Sequence, residues 1–475
     1  MDLHFLLFSL AIVFGFYMAF MIGANDVANA MGTSVGSKAL TLKKAVFIAA
    51  ILEFSGAFLV GSHVTETLQQ GIVQSSLFQT DPLQFVYGML AALLATGIWL
   101  QVASYFGWPV STTHAIVGAI VGFGIAFGGI HAIFWKHVFY IATSWIISPI
   151  FSGILSYLIF SVLQKSILFT LRPIKATQKI APIFIFFVLF VLFLAILFDG
   201  LKSLKLHINW EFSILIAALI GLSGFFISKP LIKKRIKHLE KKIPQAEQNP
   251  QSAMFLRKAV KHLQRVSIHA KGDLREETKE VLKKTKELYH ATKGKTNIVT
   301  SPDQYSLVEK IFSYLQILSA CFVAFAHGAN DVANAVGPMA AVVVYLKTGT
   351  LEIAKIGVPL WILAFGGLGI VVGLSIWGWR VIETIGKKIT ELTPTRGFCA
   401  EFGAALTILI ASKLGMPVST TQTLVGSLLG VGLARGFSAL NLKTIRDILI
   451  SWIITIPISC ILSILIFFLL RSFFP

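Results

Sequence analysis

The sequence predicts an all-α polytopic membrane protein with about twelve transmembrane helices in two inverted-topology repeats, and with broken helices at the binding site. Three observations predict it. The chain is 475 residues long, 55% hydrophobic and only 13% charged, with a mean hydropathy of +0.78, outside the range of soluble domains. Apolar runs long enough to cross a bilayer recur throughout it. Finally, the octapeptide Gly-Ala-Asn-Asp-Val-Ala-Asn-Ala occurs twice, at residues 23–30 and 328–335, each time at the end of an apolar run.

Two further tags follow each copy in the same order. Pro-Val-Ser-Thr-Thr stands at 109–113 and 417–421, which is 86 and 89 residues after the first Gly. Ser-Trp-Ile-Ile follows at 144–147 and 451–454. Three ordered matches at near-constant spacing define an internal duplication, and the duplicated polar residues are the first candidates for function.

Taken in order, the apolar runs are 3–24, 42–62, 83–105, 110–128, 138–163, 182–199 and 211–228, then 308–328, 357–378, 398–414, 418–433 and 447–470. The first run is read as a retained helix rather than a secretory signal, because Met-Asp-Leu-His carries no Lys or Arg. The expected organisation is a first repeat over 1–165, two connecting helices over 166–228, a basic cytoplasmic loop over 229–306 and a second repeat over 307–475. Residues 229–300 hold 19 Lys and Arg against 7 Asp and Glu, so they contribute +12 of the net +19. In a membrane protein this marks a cytoplasmic loop, not a nucleic-acid partner. Within it Ala259, Leu263, Val266, Ala270, Leu274, Thr278, Val281, Thr285 and Leu288 recur at helical steps, which predicts one or two solvated helices near anionic headgroups.

Placing that loop in the cytoplasm puts both termini outside. The short loops then inside carry fourteen Lys and Arg, among them Lys38, Lys165, Arg172, Arg380, Lys387, Lys388 and Arg435. The outside loops carry seven, namely Lys136, Lys202, Lys205, Lys347, Lys355, Lys413 and Arg471. Seven crossings separate the repeat starts. An odd number inverts the second repeat, and inverted repeats with polar interruptions are the architecture of secondary transporters. The three cysteines, Cys321, Cys399 and Cys460, fit neither a disulfide framework nor a zinc site and read as small core residues.

The chemistry is expected at Asn25, Asp26, Asn29, Asn330, Asp331 and Asn334. A carboxylate at membrane depth is costly unless paired, hydrated or bound to a cation. Helix breaks at these Gly- and Asn-rich motifs would free carbonyls and amides as ligands. Asp26 and Asp331 are thus candidate Na⁺ ligands. Ser111, Thr112, Thr113, Ser419, Thr420 and Thr421 read as hydroxyl-rich helix starts that could cradle a tetrahedral oxyanion, against the plainer reading of simple helix capping. Phosphate keeps a proton near neutral pH and can donate to a carboxylate, whereas sulfate cannot, which favours phosphate modestly. Glu53, Glu401 and His327 break the symmetry, aligning with Ala364, Leu93 and Ile22, and are candidates for coupling or gating; a satisfied core role is the alternative. His114 aligns with Gln422, which argues against a symmetric metal site.

On these residues the chain resembles the inorganic phosphate transporter family. The paired Gly-Ala-Asn-Asp-Val-Ala-Asn-Ala and Pro-Val-Ser-Thr-Thr motifs and the polar loop between the halves carry the resemblance. It implies a twelve-helix fold with inverted repeats, termini outside the plasma membrane, and uptake of inorganic phosphate with Na⁺ or H⁺. It also implies that Asp26 and Asp331 are the essential acidic pair, that the four Asn complete the sites and that the six hydroxyls ligate phosphate. Glu53, Glu401 and His327 match functional positions of that family; Gln422 departs from the His that many members have. The expected class is therefore a symporter and not an enzyme, with no cofactor beyond a coupling ion. Its partners would be phosphate, a coupling cation and the bilayer, with a second copy of the chain as a further candidate. The rivals are a sulfate or other oxyanion permease, a passive anion channel, and a receptor whose loop binds partners.

Overall fold

A computed structural model describes all residues except 1–2, 63, 66–71, 171, 201–207, 241–249, 271, 296–300, 352–356, 380, 383–391, 437–441 and 474–475. Several loop charges used above for orientation, Lys202, Lys205, Lys355, Arg380, Lys387 and Lys388, lie outside the described residues. The described residues form fourteen α-helices and no strand beyond one isolated bridge, Val73–Ile133. The first seven are α1 (Leu3–Gly36), α2 (Leu42–Val60), α3 (Pro82–Tyr105), α4 (Thr112–Gly128), α5 (Trp135–Leu163), α6 (Pro173–Ala195) and α7 (Trp210–Glu240). The basic loop contributes α8 (Pro250–His269) and α9 (Asp273–Lys295). The rest are α10 (Ser301–Thr348), α11 (Leu360–Ile376), α12 (Pro394–Lys413), α13 (Thr420–Arg435) and α14 (Leu442–Phe473).

Seven of these, α1, α3, α5, α6, α7, α10 and α14, are long and apolar enough to cross a membrane by length and composition, and α4 and α11 are shorter apolar helices. Their outward faces are greasy. Ile146, Ile150 and Ile154 on α5, Phe212, Leu219 and Phe226 on α7, and Ile453, Ile461 and Leu465 on α14 are exposed. Trp108, Trp135, Trp210, Trp361 and Trp379 are exposed among the described residues too. An apolar belt with amphipathic indoles is what a bilayer solvates and water does not.

Helix packing follows the duplication. α1 packs on α3 and α11, and α10 correspondingly on α12 and α2. α4 and α3 receive α14, whereas α13 and α12 receive α5. Exchanging the halves maps each of these contacts onto another, and α1 meets its own counterpart α10 at the centre. The second and fifth helices of each half therefore dock on the other half.

One expectation is overturned. The Gly-Ala-Asn-Asp motifs do not break their helices: α1 is continuous for 34 residues and α10 for 48. At 1.5 Å per residue these span about 50 and 70 Å, longer than a ~30 Å hydrocarbon core. Gly23 and Gly328 are instead contact residues, since a Cβ on either would strike the backbone of Ile370 or Glu53. The breaks occur at the other tags. The chain leaves helix after Tyr105 and resumes at Thr112, and leaves after Lys413 and resumes at Thr420, with Gly107 (φ 67°) and Gly415 (φ 67°) making left-handed turns that other residues rarely adopt.

Candidate functional site

Each Pro-Val-Ser-Thr-Thr segment starts a helix. Ser111 caps α4 by accepting the His114 backbone N–H at 3.2 Å, and Ser419 caps α13 by accepting the Gln422 N–H, also at 3.2 Å. The serine hydroxyls thus do the capping. That leaves the threonines one and two places on for the centre of the molecule.

Breaking a helix at Pro leaves carbonyls without partners. Asn25 and Asn330 supply them. Asn25 Nδ2 donates to Ser104 Oγ at 3.0 Å and to the Trp108 carbonyl at 3.2 Å. Asn330 Nδ2 donates to Ser412 Oγ at 3.1 Å and to the Met416 carbonyl at 3.4 Å. The two asparagines therefore tie each break to the intact helix beside it. Ser104 and Ser412 escaped the sequence analysis, although both stand five residues before their Pro; a duplicated Ser at fixed offset was the signal.

The second asparagine of each motif bonds across the halves. Asn29 Nδ2 donates to Thr421 Oγ1 at 2.8 Å and to Asp26 Oδ1 at 3.1 Å. Asn334 Nδ2 donates to Thr112 Oγ1 at 3.1 Å and Thr113 Oγ1 at 3.4 Å. Thr420 Oγ1 donates to Asp331 Oδ2 at 2.7 Å, while Thr113 Oγ1 reaches the Val418 carbonyl at 3.0 Å. All twelve predicted binding residues are buried. The structure thus brings the four tags, two from each half, into one hydrogen-bonded cluster.

The acids inside it are not equivalent. His327 Nε2 lies 2.9 Å from Asp331 Oδ2, and its Nδ1 lies 3.4 Å from Glu53 Oε1. All three side chains are fully buried. Asp26 has Ile22 where Asp331 has His327, and its Oδ2 has no donor; Asn25 Oδ1 is likewise a buried acceptor without one. One ligand atom from each of Asp26, His327 and Asp331 lies within 4.8 Å of the others. A buried carboxylate oxygen without a donor, on a residue within reach of a second carboxylate, suits a hard cation.

Glu401 belongs to a separate cluster. It accepts from Ser34 Oγ at 2.7 Å, Ser319 Oγ at 2.5 Å, Gln316 Nε2 at 3.2 Å and Thr33 Oγ1. Its donors come from α1 and α10, so one carboxylate on α12 holds the central helices of both halves. These four donors carry no signal in the sequence, because only one of the two repeats carries the acid that gives them a purpose.

The phosphate transporter family model matches residues 22–463. The chain belongs to the phosphate transporter family. It is 44% identical over 460 residues to the inorganic phosphate transporter 2-1, chloroplastic, of Arabidopsis thaliana, covering 96% of this chain and 70% of that one. A solved structure, the sodium-dependent phosphate transporter, superposes with a TM-score of 0.78 at 36% identity, covering 98% of this chain and 99% of the other. Members of the family are transport proteins, not enzymes, and the apolar helices agree with an integral membrane protein.

Proposed function

We propose that the chain is a sodium-coupled phosphate symporter with a single anion site between its two halves. The observation that carries this reading is the buried Asp26–Asp331–His327 group beneath two opposed Thr-Thr helix starts, with Asp26 Oδ2 and Asn25 Oδ1 lacking donors. Two carboxylates this close repel one another, and they repel an arriving anion. A cation held by the orphan oxygens removes both penalties. Sodium is favoured because the donors are hard oxygens and because the similar solved structure is named for sodium dependence.

Phosphate would then meet the N-terminal ends of α4 and α13, where helix amides favour an anion. The hydroxyls of Thr112, Thr113, Thr420 and Thr421 can turn from their present acceptors toward its oxygens. The ligand's own proton can be donated to a carboxylate, an option closed to sulfate. His327, between Glu53 and Asp331, has no counterpart in the first half, where Ile22 stands, so the two half-sites differ in their polar neighbours. Glu401 couples the cycle mechanically, since any rocking of one half against the other must loosen its bonds to α1 or α10.

The twelve helices outside the hairpin, α1–α7 and α10–α14, are read as spans. Seven precede the hairpin, so the halves enter from opposite sides; the reciprocal packing of the helix pairs supports this. The basic hairpin lies in the cytoplasm and both termini outside. Reconstitution in proteoliposomes with Na⁺ and pH gradients imposed separately tests the coupling. Labelled phosphate should accumulate under an inward Na⁺ gradient and not under a pH gradient alone, and sulfate should not compete. Accumulation driven by pH with no Na⁺ present would rule sodium coupling out.

A further inference from the structure

The transport reading leaves the α8–α9 hairpin without a task. The two helices pack on each other, and Leu256, Ala259, Val260 and Leu263 of α8 and Thr278, Leu282, Thr285, Tyr289 and Thr292 of α9 are partly or fully buried. That contact does not use all their apolar residues. Leu274, Val281 and Leu288 recur every seventh position of α9 and are at least half exposed, at 59%, 50% and 56%. Spacing of seven places them along one stripe. On α8, Phe255, Val266 and Ile268 are exposed as well.

Charge says what could cover these side chains. α8 carries Arg257, Lys258, Lys261 and Arg265 and not one Asp or Glu. The end of α7 adds Lys229, Lys233, Lys234, Arg235 and Lys237, all exposed. It adjoins the start of α10, where the Arg235 guanidinium sits 5.9 Å over the Tyr314 ring. Only residues 296–300 join Lys295 to α10. At ~3.5 Å per residue they reach about 20 Å at most, which tethers the C-terminal end of α9 to the start of α10.

We propose that this hairpin docks on the bilayer that holds the protein, its exposed apolar side chains entering the interface and its basic side chains meeting anionic lipid headgroups. On α9 five Asp and Glu stand against seven Lys and Arg, with Glu280 paired to Lys284, so the excess of positive charge comes chiefly from α8 and the end of α7. Exposed Leu, Val, Ile and Phe beside such an excess are the features by which an amphipathic helix binds an anionic surface. The proposal is independent of phosphate transport, and its test does not read uptake.

Val281→Cys in a full-length chain whose three cysteines are replaced gives one attachment point for an environment-sensitive fluorophore. The protein is placed in nanodiscs of phosphatidylcholine alone or with about 30% phosphatidylglycerol, each with spin-labelled acyl chains as quenchers. A blue-shifted, quenched signal is expected only with the anionic lipid. About 0.5 M salt should reverse it, because screening then acts within a few ångströms. Arg257→Glu, Lys258→Glu, Lys261→Glu and Arg265→Glu together should abolish most of the quenching while α8 and α9 stay helical. Equal emission and quenching in both lipids would overturn the proposal. So would a blue shift with no lipid quenching, which would mean that protein covers the stripe.

Discussion

At the scale of single residues, the two aspartates are chemically unequal despite identical surrounding octapeptides. Asp331 accepts from Thr420 and faces His327, whereas one oxygen of Asp26 has no donor. Under the proposed mechanism both should nonetheless be indispensable, because a cation held at one carboxylate would offset the repulsion from the other. Asp26→Asn and Asp331→Asn are each expected to cut Na⁺-driven accumulation at least about tenfold, the equivalent of one lost contact to a charged group. Detergent-solubilised protein of unchanged amount and melting temperature would separate this from misfolding. Near-normal accumulation by either variant would refute the assigned role.

The elements are held by a few polar and steric contacts that carry measurable stability. Gly328 lets α10 approach the α2 backbone at Glu53. Gly328→Ala should therefore overpack that crossing and cost about 1–3 kcal/mol, seen as a lower melting temperature in detergent. A melting temperature equal to wild type would mean that the helices can separate freely. At the start of α12, Glu309 accepts the Thr395 backbone N–H at 2.8 Å and the Thr395 hydroxyl at 2.7 Å. This carboxylate sits where helix amides lack partners and the dipole is positive. Glu309→Ala is expected to destabilise the fold by about 0.5–2 kcal/mol while leaving the phosphate KM unchanged. A raised KM with unaltered stability would place Glu309 in the transport path instead.

For the whole molecule, the proposed topology puts an odd number of spans before the hairpin and an odd number after it. Single cysteines at His4 and Ser472 should then react with a membrane-impermeant maleimide on intact cells, and one at the exposed Lys286, outside the apolar stripe of α9, only after permeabilisation. Labelling of Lys286→Cys in sealed cells would sink the orientation, and labelling of the two ends from opposite sides would sink the even span count.

Duplicated tags, apolar runs and the density of basic charge are properties of the linear chain, and they sufficed to announce a membrane protein of two related halves with its polar residues at the centre. The starts of α4 and α13 were legible because Pro and capping Ser act locally. What the sequence could not decide is how the Asn-Asp segments run. Locally, Gly and Asn argue for a break; tertiary contacts keep both helices intact, because Asn25 and Asn330 spend their amides on the neighbouring broken segments and the glycines admit another backbone. The partners of Glu401 were equally hidden, since Thr33, Ser34, Gln316 and Ser319 come from two helices far apart in the chain and only folding aims them at one carboxylate. Periodicity and composition act over a few residues, whereas the satisfaction of a buried polar group depends on which distant segment arrives beside it.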